Sequence, residues 1–252
     1  MKIIGSDYDG TLNRGGMTDE KFAAIQSWRD AGNKFGIITG RSPHHREYLA
    51  KEYPIFKYDF LAACNGGLII DQNGEIICDS RCDTVPLTEL AADLFSWGCV
   101  EAHVDGAQSI IVLPEFDGDL PVGIEKQIIS LRDATKVNYF NQVSVQLPSH
   151  KASAEVVNKI NLKYSGRLNA LLNGECIDIV PANVNKARGM YRVMEHFGAS
   201  HGDIITVGDN INDIDMLREF RSYGMRSGAD EIFEFTDGIV GDITEIFEKE
   251  SV

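Results

Sequence analysis

The short run Lys2-Ile3-Ile4-Gly5-Ser6 leads directly into Asp7-Tyr8-Asp9-Gly10-Thr11-Leu12, and that junction limits what the chain can become. The run is too short for a helix and rich in β-branched residues, so it reads as a buried strand. Two carboxylates and a hydroxyl follow where the strand gives way to a turn, and in an open α/β sheet ligands bind at that end of a strand. Two aspartates this close repel, so the site needs a cation or a shared proton. Mg²⁺, a hard dication that takes oxygen ligands, meets that need and also attracts phosphate. An ordinary Asp-Gly turn is the competing reading. A calcium loop is excluded by spacing, because Leu12 stands where such a loop counted from Asp7 needs Gly.

The same rhythm recurs. Thr18, with Asp19 and Glu20 behind it, starts a helix that Gly32 stops. A strand over Lys34 to Ile38 ends in Thr39-Gly40-Arg41, and Ser42-Pro43 opens a further helix with Ser as cap. A third strand, Tyr58 to Cys64, ends in Asn65-Gly66-Gly67. Strand and helix alternating at this spacing predict right-handed crossovers and a parallel sheet. A hairpin follows, turning at Asn73-Gly74. From about Cys82 the order changes to strand pairs interleaved with helices. A loop over 114–123 carries Glu115, Asp117 and Asp119, read as solvated, and leads into a helix ending near Arg132. This stretch predicts an inserted α+β domain with an antiparallel sheet. After Pro181 the first rhythm returns: a helix from Lys186, the strand Ile204 to Val207, then Gly208-Asp209-Asn210-Ile211-Asn212-Asp213. The expected architecture is an α/β, Rossmann-like doubly wound core (1–82 and 183–252) interrupted by an inserted domain (83–182).

A net charge of −14 argues against a broad nucleic-acid or anionic-membrane surface. No apolar stretch is long enough to span a bilayer, and no signal segment precedes the first strand, so the expectation is a cytoplasmic protein, monomer or homodimer. Five cysteines without a C-x-x-C pair read as reduced thiols. His44 and His45, adjacent on a helix, cannot face one ligand together and are taken as surface residues.

Taken singly, Asp209 reads as a turn, Thr39 as a cap and Lys186 as a solvated lysine. Jointly, carboxylates, a hydroxyl and a lysine at successive strand ends converge on one crevice. The chemistry they permit is phosphoryl transfer through a carboxylate. Asp7 attacks phosphorus. Asp9 protonates the leaving oxygen and later activates water. Asp7, the backbone carbonyl of Asp9 and Asp209 hold Mg²⁺. Thr39 and Lys186 bind and balance the phosphate, Gly40, Arg41, Asn65 and Asn212 add contacts to it, and Asp213 orients the other groups.

This set, D-Y-D-G-T-L, T-G-R, a later lysine and G-D-N-I-N-D, resembles the haloacid dehalogenase-like (HAD) superfamily in its Cof-type phosphatase group. The resemblance implies Asp7 as nucleophile, Asp9 as acid and base, Asp209 as metal ligand, with Thr39 and Lys186 on the phosphate. About thirty residues separate Asp9 from Thr39, but nearly 150 separate Thr39 from Lys186, leaving on the order of a hundred for an inserted cap that selects substrate. Gly5-Ser6 replaces a bulkier apolar pair, which implies a looser first strand. In the inserted domain Asp178 points opposite to Ile177 and Ile179, toward either a crevice or solvent. The leading expectation is a Mg²⁺-dependent phosphatase acting on a small phosphorylated metabolite, a sugar phosphate first among them. A phosphomutase is disfavoured because 83–182 holds only Arg132 and Arg167 to grip a second phosphate. A binding domain without turnover is disfavoured by the retention of Asp7, Asp9 and Lys186. A dehalogenase needs neither Asp9 as acid nor a metal.

Overall fold

A computed structural model describes residues 1–106, 108–116 and 127–250. The chain divides into two compact units, Met1–Asp79 with Asn185–Val252, and Ser80–Val184.

The first unit begins with β1 (Ile3–Ser6), α1 (Asp19–Asp30), β2 (Lys34–Ile38), α2 (His45–Glu52), β3 (Phe60–Ala63), β4 (Leu68–Ile70) and β5 (Ile76–Asp79). The second unit contains α3 (Leu87–Ser96), β6 (Ala102–Asp105), β7 (Ser109–Leu113), β8 (Gln127–Ser130), β9 (Gln142–Gln146), α4 (His150–Lys163), β10 (Leu168–Asn173) and β11 (Cys176–Pro181). The chain then returns to the first unit with α5 (Lys186–Phe197), β12 (Ile204–Gly208), α6 (Ile214–Glu219), β13 (Arg221–Met225), β14 (Gly238–Val240) and α7 (Thr244–Glu250).

The first sheet has the order β14-β13-β12-β1-β2-β3-β4-β5, parallel from β14 to β3 and closed by an antiparallel hairpin. The parallel α/β core read from the sequence is therefore correct. Successive strand residues feed opposite faces, as the pleat requires. Ile4, Phe35, Ile37 and Leu61 pack with Ile25, Trp28, Leu49 and Phe247 of α1, α2 and α7, while Ile3, Ile38 and Phe60 pack with Met190, Val193 and Leu217 of α5 and α6. Because α1 and α5 lie on opposite faces, strand order reverses at β1 and β12, and a crevice opens at their carboxyl ends.

β1 is not loosely packed. A Cβ on Gly5 would stand 2.4 Å from the Met190 sulfur, so the flexible thioether of α5 fills the space left by the missing side chain. α2 also starts later than Ser42 implies. His44 precedes its first residue, and Ser42 contributes its carbonyl to His45 N–H (3.0 Å).

In the second unit, β10-β11-β9-β6-β7-β8 form one sheet whose pairs are antiparallel except β7 with β8. The parallel edge arises where a helix ending near Arg132 was expected: Gln127–Ser130 is a strand, its β-branched Ile128-Ile129 paired with Ile111 and Val112. Of the acidic loop, Glu115 is exposed, while Asp117 and Asp119 lie outside the described residues. One face of the sheet packs against α3 and α4 through Val104, Val143, Ile177 and Ile179. Asp178 points the other way but not into solvent. It is buried, accepting from Ser144 Oγ (2.8 Å) and Gln142 Nε2 (3.3 Å).

One buried cation fixes the loop that follows the Asp7 turn. Lys21 Nζ donates to the carbonyls of Leu12 (3.0 Å), Arg14 (2.5 Å) and Gly16 (3.0 Å) and lies 3.3 Å from Asp242 Oδ2. Lys21→Met keeps the apolar stem but strands those carbonyls, so a loss of about 3 kcal/mol in unfolding free energy is expected by denaturant titration. A change below about 0.5 kcal/mol would show that water replaces the ammonium without cost.

Candidate active site

Asp7 and Asp209 follow β1 and β12, and the parallel register pairs Ser6 with Val207, so the two carboxylates leave the sheet side by side. Asp7 N–H still bonds Val207 O (2.9 Å), extending the ladder by one residue into the site. The chain then turns sharply at Gly10, whose φ is +78°. A Cβ there would fall 2.2 Å from Asp209 Oδ2, so glycine is required for both conformation and space. Beyond it, Thr11 Oγ donates to Asp209 Oδ1 (2.8 Å).

α5 supplies the cation. Asn185 caps its start by accepting from Arg188 N–H, which places Lys186 in the first turn. The lysine is 1% exposed, and its ammonium bonds Asp7 Oδ1 (2.6 Å) and Asp213 Oδ1 (2.5 Å). Asp213 Oδ2 accepts the N–H groups of Asp209 and Asn210 (both 3.0 Å). Both Asp213 oxygens are thus occupied in orienting neighbours. Asp7, Asp209 and Asp213 present oxygens within 4.8 Å of one another. Three carboxylates against one ammonium leave a surplus of two negative charges, the complement of a divalent ion.

The surplus shows in the titration behaviour. Burial pushes the Asp7 carboxyl well above the usual carboxylate range, with Asp213 and Asp209 adding to the rise and Lys186 opposing it. Burial also raises Asp209, against the hydrogen bond from Thr11. Burial alone would lower Lys186, but the Asp213 and Asp7 carboxylates outweigh it and hold the ammonium charged.

Thr39, Gly40 and Arg41 follow β2, the strand beside β1. Thr39 Oγ accepts from Arg41 N–H (3.2 Å), and the hydroxyl retains a proton of its own to donate. Asn65 N–H bonds Thr39 O (2.8 Å) and Cys64 N–H bonds Arg41 O (2.9 Å). Cys64 and Asn65 both have left-handed φ (52° and 55°), a costly conformation for non-glycine residues that those two bonds hold in place. Gly66 lets this turn meet α5, since a Cβ on it would lie 2.9 Å from Gly189 Cα. Arg41, the third residue of this turn, has its guanidinium forked onto Asp9, Nε to Oδ2 and Nη2 to Oδ1, both 2.7 Å. Asn212 is half-buried in the turn before Asp213, and among the described residues its side chain bonds none of the carboxylates.

His45 corrects the surface assignment. It is 5% exposed, with its ring edge-on to Tyr8 (4.3 Å between centroids) and stacked on Tyr48. Burial and then Arg41 push its pKa down to about 4. An imidazole lowered from about 6.5 binds fewer protons folded than unfolded, so the fold loses stability as pH falls from 6.5 to 4, by about 3 kcal/mol, with no further loss below. His45→Phe is expected to remove that slope from denaturation curves collected across this range, and an unchanged slope would place its origin elsewhere. Thr11 and Tyr8 are further residues whose parts at the site the sequence did not assign. The Asp-Gly-Thr spacing was the only signal for Thr11, and nothing in the pattern marked Tyr8.

A parallel α/β sheet carrying a lysine-bridged carboxylate cluster at its switch point defines a class of protein that binds its ligand at the carboxyl ends of the strands. Residues 4–245 match the sequence model of the haloacid dehalogenase-like hydrolase family, and the chain belongs to that family. It is a hydrolase of the kind that its four ordered motifs resemble. It is 25% identical, over 93% of its length and 91% of the relative's, to the 5-amino-6-(5-phospho-D-ribitylamino)uracil phosphatase YwtE of Bacillus subtilis. Among solved structures it is similar to a haloacid dehalogenase-like hydrolase from B. subtilis (TM-score 0.81, 15% identity, 98% and 99% of the two chains). It is also similar to a HAD subclass IIB sugar phosphatase (TM-score 0.78, 17% identity, 99% and 98%). At these identities the structures speak for the fold.

Proposed function

We propose that the chain is a Mg²⁺-dependent phosphatase that hydrolyses the phosphate monoester of a small metabolite through an aspartyl-phosphate on Asp7. The observation that carries this reading is the buried Lys186 ammonium bridging Asp7 and Asp213, with Asp209 beside them and a surplus of two negative charges. Asp7 attacks phosphorus as the ester bond to the leaving oxygen breaks, and Asp9 gives that oxygen its proton. Asp9 then takes a proton from the water that releases phosphate from Asp7. Thr39 and Lys186 hold the phosphate oxygens, and Lys186 opposes the rise that burial imposes on the Asp7 carboxyl. Asp7, Asp209 and the Asp9 carbonyl fit Mg²⁺, which supplies charge neutralisation between nucleophile and phosphate. Asp213, both of its oxygens engaged, serves to orient Lys186 and the Asp209 backbone. The unit Ser80–Val184 is the part of the chain assigned to choosing the ester. Phosphorylated sugars and polyols are the favoured class, since the relatives named above include a sugar phosphatase and an enzyme acting on a phosphoribityl compound.

The test is phosphate release from a panel of sugar, polyol and nucleoside monophosphates with Mg²⁺, using Asp7→Asn as blank. Selective, Mg²⁺-dependent release by the wild type alone supports the reading. Equal release by both proteins overturns it.

A further inference from the structure

The sequence presents Arg41 as one more group for the phosphate, but the structure gives it other work. Its Nε and Nη2 are both spent on Asp9, one on each carboxylate oxygen. The guanidinium lies over the Tyr8 ring, 4.9 Å from the centroid. Tyr8 is wholly buried, and its hydroxyl bonds nothing among the described residues, so what it offers Arg41 is a ring face. The Arg41 backbone is fixed on both sides, N–H to Thr39 and carbonyl from Cys64. Asp9 has no such constraint. Its side chain is 54% exposed, it precedes the sharp turn at Gly10, and among the described residues only Arg41 bonds its carboxylate.

We infer that Arg41 is a positioning residue for the acid–base carboxylate Asp9, seated on the Tyr8 ring, and not a ligand of the substrate phosphate. The inference rests on the reading of Asp9 as acid and base. A fork occupies one lone pair on each carboxylate oxygen and leaves others available. In the acid form that the proposed mechanism requires, the proton would occupy such a lone pair on one oxygen while the other stays on the guanidinium. When the ester bond breaks, that proton passes to the leaving oxygen, the O–H electron pair remains on Asp9, and the carboxylate returns to the full fork. A phosphate seeking Arg41 would instead have to displace two charge-assisted bonds and unseat the acid.

The experiment compares wild type, Arg41→Met, Arg41→Lys, Asp9→Asn and the Arg41→Met/Asp9→Asn double variant, each with Mg²⁺. Two esters are used, an alkyl phosphate, whose leaving group needs a proton, and p-nitrophenyl phosphate, whose leaving group does not. Inhibition by inorganic phosphate reports binding. Arg41→Met is expected to lower kcat/KM about 100-fold on the alkyl ester and less than about 5-fold on the aryl ester, with phosphate inhibition unchanged. Arg41→Lys, which keeps charge without the fork, should fall between wild type and Arg41→Met. In the Asp9→Asn background, loss of Arg41 should cost nothing more. Equal losses on both esters with weakened phosphate inhibition would overturn the inference in favour of a phosphate ligand. A full additional loss in the Asp9→Asn background would overturn it in favour of a general structural role. If Asp9→Asn alone spares the alkyl ester, the acid–base reading itself fails and Arg41 has nothing to position.

Discussion

Asp7→Asn is expected to lower turnover by ~10⁴-fold or more, the order lost when one member of a catalytic unit is removed, in a protein that folds at least as well as the wild type. The amide matches the carboxylate in shape and can still accept from Lys186, so the bonds of residue 7 to Val207, Leu12 and Lys186 have no reason to change. What is lost is the anionic oxygen that the proposed mechanism bonds to phosphorus. What is gained is relief from burial, which in the wild type pushes the Asp7 carboxyl well above its ordinary range. One buried carboxylate fewer reduces the surplus charge around Lys186 from two to one. Unfolding free energy without Mg²⁺ should therefore stay level or rise by about 1 kcal/mol, and the stabilisation that Mg²⁺ confers should shrink. Phosphate release and denaturant titration, each with and without Mg²⁺, check the two halves separately. Turnover within tenfold of wild type would remove Asp7 as nucleophile. A large drop in stability would mean that the carboxylate holds the strand ends together after all.

Most of the core was legible because its signals are local. Short apolar runs, each ending in a polar turn, occur at β1, β2, β3 and β12. The only topology that joins them through single helices is a parallel sheet with its polar ends on one edge. What escaped depended on partners distant in sequence. His44 and His45 look alike in the chain, but only His45 is buried, by Tyr8, 37 positions upstream. Gly5 predicts a gap until Met190 is known to stand over it. β8 is only four residues long, too short to show a period, and its identity comes from pairing with β7. Arg41 is the instructive case at the site. Its type and place in T-G-R suggest an anion, and in the structure it pairs with the Asp9 carboxylate, because β1 and β2 are neighbours in register and bring their two turns together.

Lys186→Met should damage both stability and activity, in a way that separates the lysine's two parts. Methionine fills nearly the same volume, so the 1%-exposed site would not become a cavity. It would leave Asp7 and Asp213 buried without the cation that bonds them both, and removing one partner of a buried ion pair costs about 3–5 kcal/mol. The deficit should depend on pH with a definite sign. Asp7, already raised by burial, would rise further without the ammonium, so the folded variant binds more protons than the unfolded chain and loses stability as pH climbs. The gap between variant and wild type should thus be smallest in mild acid and widen toward neutrality. Mg²⁺ should narrow it at neutral pH, because a dication offsets the same carboxylates. Turnover should stay depressed on the order of 10²- to 10³-fold even at saturating Mg²⁺, since the proposed mechanism gives Lys186 the oxygens that gain charge during transfer. Recovery of stability together with activity would reduce Lys186 to a counter-ion. Recovery of stability alone would give it a share in the chemistry.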